Sequence, residues 1–279
     1  MYPILFKVGP LVIYSYGFFL AVAYLAATFV FYREGRKRGF NEEKLLDFSV
    51  VALIAAIVGG RIFYTLLNLK LFSQEPLKIF AIWEGGFAYY GAFILVFIVC
   101  SYLVRRWRWD FFQVADFASL SVLIAIFFGK IGSFLSGNDY GKLTLLPWGV
   151  SSEFLEGTRH PVQLYEAFWA LILLLLLWRL YQKNLKKTFD LRSGAVFLYF
   201  VLFTSLGRVV FEQFRGDSSY LGLFPMATVF AFMLAGTSLL VLYYYQFRNI
   251  RADIKTVGRY ILGINLRRFR KPQRLSERQ

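Results

Sequence analysis

Seven long apolar runs dominate this sequence, and each is long enough to cross a membrane as a helix. A helix rises 1.5 Å per residue, so about 20 residues span the roughly 30 Å of hydrocarbon in a bilayer. The runs cover residues 11–32, 46–68, 86–104, 112–135, 162–181, 193–213 and 225–247. The sequence therefore predicts an all-α, seven-span membrane domain over 1–247, followed by a basic cytoplasmic tail at 248–279.

The basic residues lie mostly in alternate connections between these runs. Of the 32 Lys and Arg residues, twenty-three lie on one side of the predicted bundle, six on the other and three within the spans. The positive-inside rule then predicts that the N-terminus is outside and the C-terminus cytoplasmic. The net charge of +15 is thus explained by topology and by contact of the tail with anionic membrane lipids, and we expect no nucleic-acid partner.

The three cations within the spans are the most informative residues of the chain. Arg61, Lys130 and Arg208 each lie in the final third of a span that runs outward, so they share one depth in the outer leaflet. A cation at the bilayer centre costs at least about 2.5–3.5 kcal/mol, which requires a partner or a water-filled cavity. A long side chain near a helix end can also snorkel to the headgroups without further function.

An anion is expected among three cations of one sign, and at that depth the natural anion is a lipid phosphate. Acidic side chains can share this role. Glu212 follows Arg208 by four residues on the same helix face, and Glu166 lies near the outer start of the fifth span. Cations around a phosphodiester stabilise the charge that develops on a phosphate leaving group, so the residues predict a site for phosphate displacement.

The connection at 136–161 is the longest in the chain, and long loops are usually functional or disordered. Its aromatic and apolar residues predict an ordered lid that lies on the membrane. The only histidine, His160, closes the loop beside Pro161; alone, such a histidine more often makes a structural hydrogen bond than acts as a catalyst. The single cysteine, Cys100, is mid-span and has no partner for an intrachain disulfide.

Several motifs of the chain resemble those of the bacterial prolipoprotein diacylglyceryl transferases. They are WEGGFAYYGAF at 83–93, GKIGSFLSGNDYG at 129–141, RHPVQLYEA at 159–167 and GRVVFEQFR at 207–215. Gly-Gly-Arg61 with Tyr64 is similar to the second-span motif of the family, and Tyr16-Gly17 to its first-span motif. The resemblance extends over all seven spans, in the order and spacing of the family.

The resemblance implies a specific reaction. The family transfers the diacylglyceryl group of phosphatidylglycerol to the thiol of the lipobox cysteine in a prolipoprotein signal peptide, with no metal or organic cofactor. The product is a thioether, and glycerol phosphate is released. A multi-pass protein of the bacterial plasma membrane, with its site toward the outer leaflet, is expected.

The same resemblance implies the residues of the site. Catalytic roles fall on Arg208, Lys130, Tyr90 and Glu212. Substrate-binding roles fall on Lys130, Arg61, Tyr16, Ser133, Gly141, His160, Gln163, Tyr165, Glu166 and Arg215.

Four positions depart from the family pattern. Tyr90 replaces a histidine that is proposed as the base for the thiol, Lys130 an arginine, Ser133 an asparagine and Thr204 a tyrosine. Lysine keeps the charge but lacks the fork that grips a phosphate in two places. In one interpretation the chain is a working transferase in which Tyr90, His160 or substrate-bound water accepts the thiol proton. In the other it is a diverged relative that binds or moves phospholipid with altered or lost transferase activity.

Overall fold

The computed structural model describes residues 2–9, 11–152, 155–186, 191–218, 220–221 and 224–247. The predicted basic tail at 248–279 lies outside these residues. Seven helices in the described chain are long and apolar enough to cross a membrane, which confirms the predicted seven spans. They are α1 (Ser15–Lys37), α2 (Glu42–Leu67), α4 (Tyr89–Arg106), α5 (Phe111–Ser136), α6 (Val162–Leu185), α7 (Ala195–Glu212) and α8 (Met226–Leu242), with a short helix α3 (Leu69–Gln74) after α2.

Local capping explains where several helices begin and end. The Asn41 side chain accepts a hydrogen bond from the Lys44 amide and starts α2, and Asp110 accepts from two amides of the first turn of α5. These side chains satisfy amides that have no partner within the helix. At the other end of α5, Gly137 adopts a left-handed conformation with φ +79°, which terminates the helix.

Three two-stranded antiparallel sheets lie outside the long helices. They pair β1 (Ile4–Val8) with β2 (Leu11–Tyr14), β3 (Val150–Ser152) with β4 (Leu155–Arg159), and β5 (Tyr220–Leu221) with β6 (Phe224–Pro225). The first pair corrects the predicted first span, because residues 11–14 form a strand and the helix begins at Ser15. A short apolar run does not distinguish a strand from a helix. The second pair lies in the predicted loop at 136–161.

The bundle is arranged around α5, which packs against α1, α6 and α7; α2 packs against α4, and α7 against α8. The apolar core gathers at the end of the bundle where α1 finishes and α5 begins. Phe31, Phe48 and Phe117 pack ring against ring there, and Leu120 and Tyr181 are fully buried. Polar side chains surround the opposite end of α5, which carries Lys130.

Glycines allow α2 and α4 to approach closely. A Cβ at Gly59 would lie 2.5 Å from the Gly91 carbonyl oxygen, and one at Gly91 would collide with the Phe63 side chain. Small residues permit this kind of helix contact in membranes. The close approach of α2 and α4 bears on the functional site described below, because α4 begins directly after the segment to which Arg61 donates hydrogen bonds.

We predict that Gly91→Ala weakens the packing of α2 against α4. Overpacking of this kind typically costs about 1–3 kcal/mol, so the thermal midpoint of the detergent-solubilised protein should fall. Gly236→Ala on α8 is the matched control, since a Cβ there meets nothing within 4 Å. Equal midpoints for the two variants would contradict the close approach.

Candidate functional site

Glu166 is the centre of a group of charged side chains at the end of the bundle where α5 and α7 finish and α6 begins. Its Oε2 lies 2.5 Å from Lys130 Nζ, and its Oε1 lies 3.0 Å from Arg208 Nη1 and 3.6 Å from Arg215 Nη1. Lys130 is on α5, Glu166 is on the first turns of α6 and Arg208 is on α7. One carboxylate therefore joins three helices.

Three further carboxylates surround the same cations. Arg208 Nη2 lies 2.8 Å from Glu212 Oε2, which confirms the ion pair predicted from their four-residue spacing. Asp139 reaches Lys130 at 3.0 Å and Arg215 at 3.3 Å. Both carboxylate oxygens of Asp217 accept hydrogen bonds from Arg215, at 2.9 Å from Nε and 2.6 Å from Nη2. We call these seven residues the ion-pair cluster: Lys130, Asp139, Glu166, Arg208, Glu212, Arg215 and Asp217.

The ion-pair cluster confirms the expectation that Glu166 and Glu212 share the role of an anion among the cations. The protein supplies four carboxylates for Lys130, Arg208 and Arg215, so these charges are compensated internally. Because a buried charge that loses its partner is strongly destabilising, these contacts also hold this end of the helices in place. A lipid phosphate is therefore not required for charge balance.

The three cations differ in how open they are. The side chain of Arg208 is 34% exposed, that of Lys130 is 23% exposed and that of Arg215 is 9% exposed. Arg208 donates one hydrogen bond, from Nη1 to Glu166 Oε1, and pairs with Glu212 through Nη2, and its Nε meets no acceptor in the described residues. Arg208 is thus the cation best able to contact a further anion, and Lys130 follows it.

Asp139 and Arg215 lie beyond the spans, and their pKa values reflect their partners. Burial disfavours the Asp139 carboxylate, but the charges of Lys130 and Arg215 outweigh it and hold the pKa of Asp139 below its usual value. Burial likewise opposes the charge on Arg215, while its hydrogen bonds to Asp217 and the nearby charges of Asp139 and Glu166 raise its pKa further. Both groups are therefore held in their charged forms.

Backbone contacts connect the loop at 138–142 to the segments on either side. The amides of Lys142 and Gly216 donate to the carbonyls of Phe214 and Tyr140, both at 2.8 Å. Gln163 Nε2 donates to the carbonyls of Asn138 and Asp139, at 2.8 and 2.7 Å. Gly141 allows this approach, since a Cβ there would collide with the His160 carbonyl. Gln163, Gly141 and His160 thus position Asp139 and Arg215.

His160 and Tyr165 form a second polar group beside the cluster. His160 Nδ1 lies 3.2 Å from Tyr165 Oη, which also accepts a hydrogen bond of 2.9 Å from Trp148 Nε1. The His160 ring packs on Phe214 with centroids 5.1 Å apart. The histidine is therefore joined to the loop by its backbone and to α6 by its ring.

Tyr16 and Ser133 lie where α1 crosses α5. Gly132 lets the two helices approach, because a Cβ there would lie only 2.7 Å from Phe19 Cβ on α1. Ser133 is buried one turn beyond Lys130, and Tyr16 is exposed at the start of α1. Neither side chain contacts the charged groups of the cluster in the described residues.

Arg61 is not part of the ion-pair cluster, which corrects the prediction that it joins Lys130 and Arg208 around one anion. Its guanidinium donates to backbone carbonyls of the segment between α3 and α4. These acceptors are Lys78, Ile79, Ala81, Gly85 and Gly86. A guanidinium has five N–H groups, so every donor is occupied. Equal depth in the membrane did not bring the three cations together.

Tyr90 likewise makes no hydrogen bond or ring contact with the cluster in the described residues. It is exposed on the first turn of α4, and its ring packs edge-on against Tyr89 with centroids 5.9 Å apart. Arg61 organises the segment just before it, so the two residues belong to one region. The predicted site residues therefore fall into two sets by their contacts: the ion-pair cluster, and Arg61 with the segment that precedes Tyr90.

Comparison with known proteins matches this arrangement to one family. The sequence profile described as prolipoprotein diacylglyceryl transferase matches residues 3–245. The chain belongs to this family. It is 35% identical over 223 residues to the phosphatidylglycerol–prolipoprotein diacylglyceryl transferase of Clostridium tetani, covering 78% of this chain and 86% of that protein. The protein of the same name from Geobacter sulfurreducens is 32% identical over 251 residues, covering 86% and 94%.

The departures from the transferase pattern lie in different parts of the site. Lys130 keeps two ion pairs, to Asp139 and Glu166, in place of the arginine fork. Thr204 donates its hydroxyl to the Phe200 carbonyl of its own helix, one turn before Arg208. Only the change at Lys130 falls within the ion-pair cluster.

Sequence reasoning missed Asp139 and Asp217. Both are short acidic side chains in loops beyond the helices, so no helical spacing indicated their partners. The signal that could have found Asp139 is its position within the Gly-rich segment that follows Lys130. Asp217 lies two residues after Arg215, a spacing that permits the two-oxygen contact.

We predict that Asp139→Asn lowers the thermal midpoint at neutral pH and that this difference shrinks in acid. The pKa of Asp139 is lowered in the folded protein, so its stabilising contribution is present above the unfolded value of about 4 and is lost as pH falls through the folded pKa. Midpoints measured between pH 6 and pH 3 test this. Asp47→Asn, at an exposed carboxylate on α2, is the control. A difference that grows in acid would contradict the prediction.

We predict that Arg61→Lys loosens the segment at 76–88. Lysine offers three donors on one nitrogen and cannot reach five carbonyls in a plane. Hydrogen–deuterium exchange of peptides from this segment should become faster, whereas Arg105→Lys, at the far end of α4, should leave it unchanged. Unaltered exchange in Arg61→Lys would show that the guanidinium does not hold the segment.

Proposed function

We propose that the chain transfers the diacylglyceryl group of phosphatidylglycerol to the lipobox cysteine of prolipoproteins. The observation that carries this proposal is the pairing of Lys130 and Arg208 through Glu166, which leaves Arg208 partly open beside a second cation. The relatives named above bear this activity in their names. The family of the chain and the chemistry of its cations thus favour the same reaction.

The proposed reaction exchanges one bond for another. The cysteine sulfur attacks the glycerol carbon of the diacylglyceryl group that bears the phosphate. The carbon–sulfur bond forms, the carbon–oxygen bond breaks and both electrons of that bond leave with glycerol phosphate. The thiol proton passes to His160, Tyr90 or substrate-bound water.

In this proposal Arg208 and Lys130 bind the phosphate. The leaving group gains negative charge as the carbon–oxygen bond breaks, and fixed cations stabilise that charge without reorganising. Glu166 and Glu212 orient the Arg208 guanidinium, and Asp139 orients Lys130. Arg215 is buried and donates two hydrogen bonds to Asp217, so we assign it to positioning the loop.

The remaining predicted residues are proposed to shape the binding region. Tyr16 and Ser133 lie at the crossing of α1 and α5 next to Lys130. Gln163 and Gly141 fix the loop that carries Asp139. His160 and Tyr165 border that loop, and Arg61 shapes the segment that leads to Tyr90.

We propose that the protein lies in the bacterial plasma membrane with the ion-pair cluster toward the outer leaflet. The basic last turns of α1, α4 and α6 support this orientation, since they carry Arg36, Lys37, Arg105, Arg106 and Lys183 at the opposite end from the cluster. The N-terminus is then outside and the C-terminus cytoplasmic. Phosphatidylglycerol and the lipobox signal peptide both arrive through the surrounding lipid.

Turnover by purified protein tests the proposal. With phosphatidylglycerol and a lipobox peptide, we predict a diacylglyceryl peptide with the matching mass gain and an equal amount of glycerol phosphate. Arg208→Ala should retain less than about 1% of this activity, because loss of one donor to the developing charge commonly lowers kcat by about 10²–10³.

Arg105→Ala, at the opposite end of the bundle, is the control and should keep wild-type turnover. Equal losses in the two variants would refute the assignment of the site. Binding of phosphatidylglycerol without product would instead favour a relative that binds or moves lipid.

A further inference from the structure

Asp116 lies far along α5 from the ion-pair cluster and makes an unusual contact. It is 1% exposed, on the second turn of the helix. Its Oδ2 accepts a hydrogen bond of 2.8 Å from the Gly194 amide, and its Oδ1 accepts one of 2.9 Å from the Phe197 amide. Both amides belong to the start of α7.

This contact is a helix cap supplied by a neighbouring helix. The first amides of a helix have no partner within it, and a carboxylate there also interacts favourably with the helix dipole. The residue that precedes α7 is Gly194, which has no side chain to cap the helix itself. Asp116 takes that role from α5.

A second contact joins the same two places. Gly194 adopts φ +92°, and a Cβ there would lie 2.6 Å from Cδ1 of the Phe112 ring. Phe112 is on the first turn of α5, one turn before Asp116. The start of α7 is therefore held to the start of α5 by a ring contact as well as by two hydrogen bonds.

The distances from this contact to the two phosphate-binding cations are matched. Lys130 is 14 residues beyond Asp116 on α5, and Arg208 is 14 residues beyond Gly194 on α7. At 1.5 Å per residue each separation is about 21 Å. The two helices pack together and are the fourth and sixth spans, so they run in the same direction. Equal lengths from a common start bring Lys130 and Arg208 to one level.

We propose that Asp116 is a positioning residue that sets the height of α7 against α5. It thereby places Arg208 and Lys130 where one carboxylate, Glu166, binds both. A slide of one residue would move Arg208 by about 1.5 Å and would stretch its 3.0 Å contact with Glu166 beyond ion-pair distance. The effect on catalysis rests on the transferase function proposed above; the effect on helix position does not.

Turnover and helix position are measured in the same variants. Asp116→Asn removes the charge and one of the two acceptors. Misplacement of a reacting group by about 1 Å can cost roughly 100-fold, so we expect kcat to fall by at least about tenfold. Spin labels at Ser136 and Gln213, in a Cys100→Ala background, report the outer ends of the two helices. Their distance distribution should shift or broaden by about 1.5 Å.

Two further variants separate positioning from stability. Ser238→Ala removes a buried hydrogen bond of 2.7 Å from α8 to the Leu198 carbonyl of α7, so it weakens the same helix without touching its contact with α5. Its thermal midpoint should fall while turnover and label distance remain those of the wild type. Asp116→Glu keeps both acceptors on a longer side chain, so it should retain the cap but displace α7 and lower kcat.

The outcomes distinguish the two proposals. Wild-type turnover and label distance in both Asp116 variants would overturn the positioning role and leave a cap that only stabilises. A loss of turnover in Ser238→Ala equal to that in Asp116→Asn would overturn it as well. If the wild type forms no product, the transferase proposal fails, while the label distances still decide the role of Asp116.

Discussion

The bridge that Glu166 makes between Lys130 and Arg208 is the interaction on which one end of the helix bundle depends. Each cation alone would be costly within an apolar span, and one carboxylate compensates both. The bridge also joins α5, α6 and α7, so the same contact compensates the charges and connects the three helices. Loss of the carboxylate would leave Lys130 with Asp139 and Arg208 with Glu212, but it would remove the partner that the two cations share, and breaking a buried ion pair in this way is destabilising.

Contacts at both ends of the bundle stabilise the position of the Glu166 bridge. At the core end, aromatic rings and aliphatic side chains pack together, and the buried contact of Asp116 with the start of α7 fixes one helix against another. At the end that carries the cluster, the backbone contacts of the loop at 138–142 bring Asp139 close to Arg215. A rigid apolar end allows the other end to be polar and partly open without losing its geometry.

The sequence predicts the features that depend on local spacing. It does not predict those that depend on which side of one helix packs against another. The seven spans follow from length and composition, and the pair of Arg208 with Glu212 follows from helical spacing. The position of Arg61 along α2 could be read from the sequence, but the direction of its side chain around the helix could not, and five backbone carbonyls bind it. Glu166 reaches Lys130 only through the packing of α6 on α5, which no spacing along the chain reveals. The strand at 11–14 was missed because its apolar residues continue into those of α1.

Internal compensation also constrains how an anionic lipid can bind. Counted as ionised, the cluster carries three positive and four negative charges, so its net charge does not attract a phosphate. In the proposed complex, recognition therefore comes from particular N–H groups of Arg208 and Lys130, while the carboxylates hold each cation in place. In this arrangement an anion is selected by its position rather than by the net charge of the cluster, because donors that are fixed by carboxylates cannot reorient toward a misplaced anion. It also explains how lysine can serve at position 130. Held by Asp139 and Glu166, its ammonium is fixed by its partners rather than by a fork of its own.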